Sequence, residues 1–184
     1  FIGFIFVQSS PRYVGDTLKP DEISLPPSVD RIGVFQDAPL STVVATAQAF
    51  SLSGIQLHGN EGLDYMGALK GALPSALIIK AVKVQSGDDI AALKEEYGVP
   101  DLFLLDGKSP GSGEAFDWEL LTRYRAQANF MLAGGIGAEE VPAIAKLAVR
   151  HPKLVGIDIN SRVEREPGLK DITKIKAALE RLKI

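Results

Sequence analysis

The sequence predicts an α/β fold, a (β/α)8 TIM barrel with its first β/α unit missing and seven strands visible. Three observations carry this expectation. Short β-branched, aliphatic or aromatic runs alternate with longer stretches of helical periodicity, the rhythm of repeated βαβ units. Strand starts recur near positions 31, 54, 76, 102, 130 and 154 without a break in composition, which argues for a single domain over residues 1–184. The chain also opens inside an apolar run, Phe1-Ile2-Gly3-Phe4-Ile5-Phe6-Val7, with no Met and no polar lead. A (β/α)8 barrel typically takes about 250 residues, roughly 30 per unit, so a barrel short of one unit accounts for both the strand number and the abrupt opening. An open doubly wound sheet is the alternative, but its Gly-x-Gly-x-x-Gly fingerprint does not follow the first strand.

The strands expected, in order, are Gly3–Val7, Arg31–Phe35, Gly54–His58, Ala76–Val82, Leu102–Asp106, Phe130–Ala133 and Leu154–Asp158. Most are almost wholly apolar, as parallel strands buried on both faces should be. Between the first two, Asp16–Pro27 carries three prolines and has room for at most a short helix. Leu40–Phe50 places Val43, Val44, Ala47 and Phe50 at helical spacing behind Ser41 as a cap. Gly62–Gly71 is a weaker helix. Asp88–Glu96, with Ile90 and Leu93, should stop at Gly98. Trp118–Arg125, Glu139–Val149 and Asp171–Leu182 complete the helices. The charged stretch Glu164–Asp171, with Pro167-Gly168 inside it, reads as a solvated loop.

Composition narrows the function. A net charge of −3 argues against nucleic acid or an anionic membrane as the main partner, so any anionic ligand must be held by a few aimed groups. With no cysteine there is no disulfide framework and no thiolate metal site. The two histidines, His58 and His151, share no metal-ligand spacing. No apolar run reaches the roughly 18 residues of a membrane span, and no signal peptide is visible. A cytoplasmic enzyme or binding domain for a small molecule is the expectation.

In a barrel the chemistry stands at the C-terminal ends of the strands and in the loops that follow. Gly134-Gly135, just before a helix expected to begin near Ala138, offers backbone N–H groups and a helix N-terminus to a phosphate. Asn160 and Ser161, after the last strand, add donors; the same glycines could equally make only a tight turn. Asp106 ends the run Leu102-Phe103-Leu104-Leu105, where burial would raise a carboxyl into the range of a general acid, or where it could simply cap or pair with Lys108. Arg12, behind Pro11, could grip a carboxylate or phosphate with two parallel hydrogen bonds, although a solvated surface arginine is the default. His58 and Asp158 end strands and read as either ligand contacts or structural groups.

Taken together the loops resemble phosphoribosylanthranilate isomerase, an enzyme family of tryptophan biosynthesis. The matching motifs run in order along the whole chain. They are Gly3-Phe4-Ile5-Phe6, Ser9-Ser10-Pro11-Arg12-Tyr13-Val14, Gly33-Val34-Phe35, Ile55-Gln56-Leu57-His58-Gly59-Asn60-Glu61, Leu104-Leu105-Asp106, Gly111-Ser112-Gly113 with Phe116-Asp117-Trp118, Leu132-Ala133-Gly134-Gly135-Ile136, Gly156-Ile157-Asp158-Ile159-Asn160-Ser161, and Val163-Glu164 with Pro167-Gly168-Leu169-Lys170-Asp171. The resemblance implies an aldose–ketose isomerase that performs an Amadori rearrangement on N-(5-phosphoribosyl)anthranilate, with no metal and no organic cofactor, as a monomer or homodimer. It assigns Asp106 as general acid and Arg12 to the anthranilate carboxylate. It assigns Gly134, Gly135, Asn160 and Ser161 to the phosphate, and His58 and Asp158 to the pocket.

The departures matter as much. The family's general base is a cysteine in a Lys-x-Cys-Gly motif ending the first strand, and this chain has no cysteine. Its absence predicts near-inactivity for these residues alone. Pro110 and Arg162 stand where the family usually has glycine, and Asn160 replaces a common serine. Two other readings stay open: a non-catalytic barrel that binds phosphate sugars, and another phosphate-binding barrel enzyme such as a thiamine-phosphate or indoleglycerol-phosphate synthase.

Overall fold

The computed structural model describes residues 1–95, 99–107 and 117–182. The expected Gly98 stop, Lys108, Pro110, Gly111-Ser112-Gly113 and Phe116 lie outside the described residues. Seven strands follow one another in chain order in one sheet. The chain divides into two compact units, Phe1–Ala81 with Glu95–Leu102, and Val82–Lys94 with Phe103–Ile184.

In the first unit β1 (Ile2–Ile5), β2 (Arg31–Phe35), β3 (Gly54–Leu57) and the start of β4 (Leu77–Lys83) pair in parallel, each with the next. Parallel neighbours need a crossover. It is supplied by α1 (Leu40–Ala49) and α2 (Leu63–Ala72), while the proline-rich Asp16–Pro27 holds only a 3-10 turn, Pro20–Glu22. The register sets Ile55 beside Ile78 and Leu57 beside Lys80. Phe35, Ile55, Leu57 and Ile78 then pack with Val43 and Ala47 of α1 and Met66 and Leu69 of α2 in one core. Ser41 does not cap α1. Pro39 holds the cap position, and its carbonyl accepts the Val43 N–H at 3.1 Å, which places Ser41 inside the first turn.

The second unit carries most of β5 (Leu102–Asp106), then β6 (Asn129–Ala133) and β7 (Leu154–Ile157), with β6 and β7 parallel. Its core joins Phe103, Leu105, Phe130, Leu132 and Leu154 to Leu121, Ile144 and Leu147. Here the helices depart from expectation. α3 (Gly87–Ala91) is a five-residue helix opened by a Ser86–Asp89 capping box, and it ends when Leu93 N–H reaches back only to Ile90, 3.4 Å away. Trp118–Arg123 is a 3-10 helix, because Tyr124 leaves the helical path to pack against Phe103 and Phe130 and to donate its hydroxyl to Ala128 O at 2.8 Å. α4 (Val141–Arg150) begins later than Ala138. Pro142, which has no N–H to donate, sits in its first turn, and the Gly137 N–H is taken by Glu140 Oε2 at 2.8 Å.

The stretch expected as a solvated loop is instead a hairpin. β8 (Glu164–Glu166) pairs antiparallel with β9 (Leu169–Lys170) around Gly168 at φ +89°. Glu164, 8% exposed, is buried because Lys170 Nζ at 2.8 Å and the Gly168 N–H at 3.2 Å both reach its carboxylate. α5 (Ile172–Leu182) follows, capped by Asp171, whose Oδ1 accepts the N–H groups of Thr173 and Lys174.

Candidate functional site

The first unit positions two of the expected residues. Arg12 lies half-buried in the turn after β1, its N–H donating to Ser10 Oγ at 3.1 Å, and a bridge from Ile5 to Tyr13 ties that turn to the strand. This half-buried setting differs from the solvated arginine that spacing alone gave. His58, also half-buried, stands just past β3, with its N–H donating to Phe35 O at 2.8 Å.

Beneath His58 lies a network that the sequence did not single out. Glu61 is buried, and its carboxylate accepts the Asp37 N–H at 2.7 Å, the Gly59 N–H at 2.9 Å and Lys80 Nζ at 2.9 Å. Lys80 also donates to Gly59 O at 2.6 Å. One carboxylate thus joins the segments just past β2 and β3 to the middle of β4. Asp37, at φ +49°, accepts from the Asn60 N–H at 2.6 Å and its side-chain amide at 3.2 Å. Burial, and then the Glu61 charge, raise the Tyr65 phenol above its ordinary range, while its hydroxyl donates to Ala38 O at 2.9 Å. The available signal was a glutamate three residues after His58 and a lysine, Lys80, inside the apolar run Ala76–Val82.

The second unit gathers the acid and the glycine turn. Asp106 ends β5 and is half-buried. Gly134 and Gly135 both adopt positive φ, +86° and +64°, where a side chain is strained. A Cβ on Gly134 would sit 2.6 Å from Asp106 Oδ1 and 2.7 Å from Gly107 N, so the carboxylate lies directly against the turn. Asp158 continues the β6–β7 ladder by donating its N–H to Leu132 O at 2.8 Å. Burial raises its carboxyl above the usual range; the Asp106 charge pushes the same way and Lys170 opposes both. The charge on Asp106 thus disfavours ionisation of Asp158.

The remaining residues flank this pair. Ser161 opens a 3-10 turn, Ser161–Val163, and is exposed. Asn160, just before it, receives Lys170 Nζ on its backbone carbonyl at 3.3 Å and on its side-chain Oδ1. Arg162, the unusual residue at the rim, donates Nε to Gly135 O at 3.1 Å and lies 3.9 Å from Glu140. The guanidinium therefore braces the glycine turn through a carbonyl. The structure brings Asp106, Gly134 and Asp158 together, with Gly135 and Asn160 each held by a basic side chain, while Arg12 and His58 belong to the first unit. Among the described residues, no group of three or more His, Asp or Glu could hold a metal ion, and no helix is long and apolar enough to cross a membrane.

Known proteins are similar to this chain in sequence and fold. A family model described as N-(5'phosphoribosyl)anthranilate (PRA) isomerase matches residues 1–181. The N-(5'-phosphoribosyl)anthranilate isomerase of Parabacteroides distasonis is 37% identical over 189 residues, covering 99% of this chain and 83% of its own. The crystal structure of phosphoribosyl anthranilate isomerase from Thermotoga maritima superposes with a TM-score of 0.78 at 31% identity, covering 98% of this chain and 86% of that one. A phosphoribosyl anthranilate isomerase in complex with reduced 1-(o-carboxyphenylamino)-1-deoxyribulose 5-phosphate gives 0.74 at 29%, with the same coverage. Motif order, strand order and near-complete coverage agree: the chain belongs to the N-(5'-phosphoribosyl)anthranilate isomerase family.

Proposed function

We propose that the chain serves the Amadori rearrangement of N-(5-phosphoribosyl)anthranilate to 1-(2-carboxyphenylamino)-1-deoxyribulose 5-phosphate, a step of tryptophan biosynthesis. The observation that carries this reading is the Asp106 carboxylate lying against the Gly134 turn, with Asp158 beside it. Asp106 gives its proton to the furanose ring oxygen. The C1–O bond breaks with its electron pair on that oxygen, and the anilino nitrogen supplies the pair that makes the Schiff base. Loss of the C2 proton to a base gives an enolamine, which tautomerises to the ketone. Arg12 holds the anthranilate carboxylate, the Gly134-Gly135 turn and the Asn160-Ser161 loop hold the phosphate, and His58 lines the pocket. In this reading residues 1–184 are part of one barrel domain that works in the cytoplasm.

The base is the open point of the chemistry, because the cysteine expected for it is not among the 184 residues. Turnover should be followed through the fluorescence of the substrate, in this chain as it stands and with a Lys-x-Cys-Gly strand placed ahead of Phe1. The second should convert substrate, and Asp106→Asn within it should lose about 10²–10⁴-fold in rate. Undiminished turnover in Asp106→Asn overturns the assignment. The second reading is a binding barrel without chemistry. Tight binding of the reduced product with no turnover in either form would select it.

A further inference from the structure

The hairpin Glu164–Lys170 has no part in the chemistry above, yet its one lysine reaches into the loop assigned to phosphate. We propose that Lys170 is a positioning residue of the phosphate site, holding Asn160 so that its amide N–H groups are presented as donors. This rests on the phosphate reading of the glycine turn and the Asn160-Ser161 loop.

Lys170 Nζ makes three contacts: Asn160 O at 3.3 Å, Asn160 Oδ1, and Glu164 Oε1 at 2.8 Å. An ammonium has three donors and no acceptor. Asn160 must therefore turn its oxygen to Lys170, which directs both Nδ2–H donors away from it. A serine at this position would offer one rotatable hydroxyl; the asparagine offers two fixed donors, provided something fixes the flip. Glu164 holds the lysine in turn. Its carboxylate is 4% exposed and also accepts the Gly168 N–H, and Lys174 Nζ holds its backbone carbonyl at 3.0 Å. The hairpin is further tied to α5 through Arg165 and Asp171, 3.2 Å apart. The lysine is anchored at its carboxylate end and acts at its asparagine end. Its charge also faces Asp158 and opposes the repulsion from Asp106, so the ammonium belongs electrically to the same site.

The test uses the whole chain, inorganic phosphate as probe, and backbone and side-chain amide NMR. In the parent, phosphate should shift the Gly134, Gly135 and Ser161 amides and the Asn160 side-chain pair. Lys170→Met should bind phosphate about tenfold more weakly, in the range of a lost hydrogen bond to a charged group, and the Asn160 side-chain pair should no longer respond. Lys170→Arg should recover most of the affinity, and Lys146→Met, an exposed charge on α4, should match the parent. Equal affinity and an unchanged Asn160 response in Lys170→Met overturn the proposal. Should that variant fail to fold, Asn160→Asp carries the test, since it keeps the partner of Lys170 but offers phosphate no donor. Parent-like affinity there also overturns it. A parent that shows no shift at the glycine amides removes the phosphate reading itself, a different result from either.

Discussion

At Gly134 two constraints coincide, a φ of +86° and a carboxylate oxygen 2.6 Å from where a Cβ would stand. Gly134→Ala should therefore cost at least about 1–3 kcal/mol, read as a shift in the urea midpoint, and should displace Asp106. A variant as stable as the parent would mean that the turn yields easily. Asp158 behaves differently. Its folded pKa is raised, so the native state holds this proton more tightly than the unfolded chain does. The stability it contributes is complete below the ordinary carboxylate range of about 3.9 and is lost as pH rises through the elevated value. Asp158→Asn should raise Tm at pH 7 and change it little at pH 3. A lower Tm at pH 7 would show the ionised form to be stabilising.

Between elements, the Glu61–Lys80 ion pair is buried on both sides. Their side chains are 2% and 13% exposed, and removing one partner strands the other away from water. Lys80→Met should destabilise by about 3–5 kcal/mol, measurable by denaturant unfolding, and a loss below about 1 kcal/mol would place the pair in effective contact with solvent. The α5 cap is milder. Asp171→Ala should lower the urea midpoint by less than Lys80→Met does, and an unchanged midpoint would show that the cap contributes nothing. Elements were legible in the sequence where an apolar run dominated: β2 and β5 have the bounds that the sequence predicts, Arg31–Phe35 and Leu102–Asp106. The bounds of α3 and the start of α4 were not, because they are set by side-chain partners such as Asp89 and Glu140, which share no periodic pattern, whereas α1 starts at Leu40 as its spacing predicts. The β8–β9 hairpin was missed for a related reason. Glu-Arg-Glu-Pro-Gly-Leu-Lys-Asp shows its charge in the sequence, but the burial of Glu164 depends on which cation folds onto it.

For the molecule as a whole, the strand-end rule of barrels leads to Asp106, Gly134 and Asp158 by position alone, and the structure sets Asp106 against Gly134 and within electrostatic reach of Asp158, whereas the glutamates and lysines that hold the loops could not be read from position. The net charge of −3 sets a further expectation. A doubly anionic ligand meets a repelling far field and is captured only by local donors. Its association rate should stay level or rise as ionic strength goes from about 10 to 150 mM, since screening removes repulsion. A steep fall in stopped-flow association of the reduced product would reveal attractive long-range steering instead.

The carboxylate shared by Asp37, Gly59 and Lys80 has a consequence in time as well as in space. Two amides that by sequence belong to surface connections are bonded to a group sealed from water, so their deuterium uptake should track that of the β3 interior, far slower than that of neighbouring loop amides. The rim around His58 would then open only when the strands beneath it do, and a ligand arriving there would meet a surface already set, with little ordering left to accomplish.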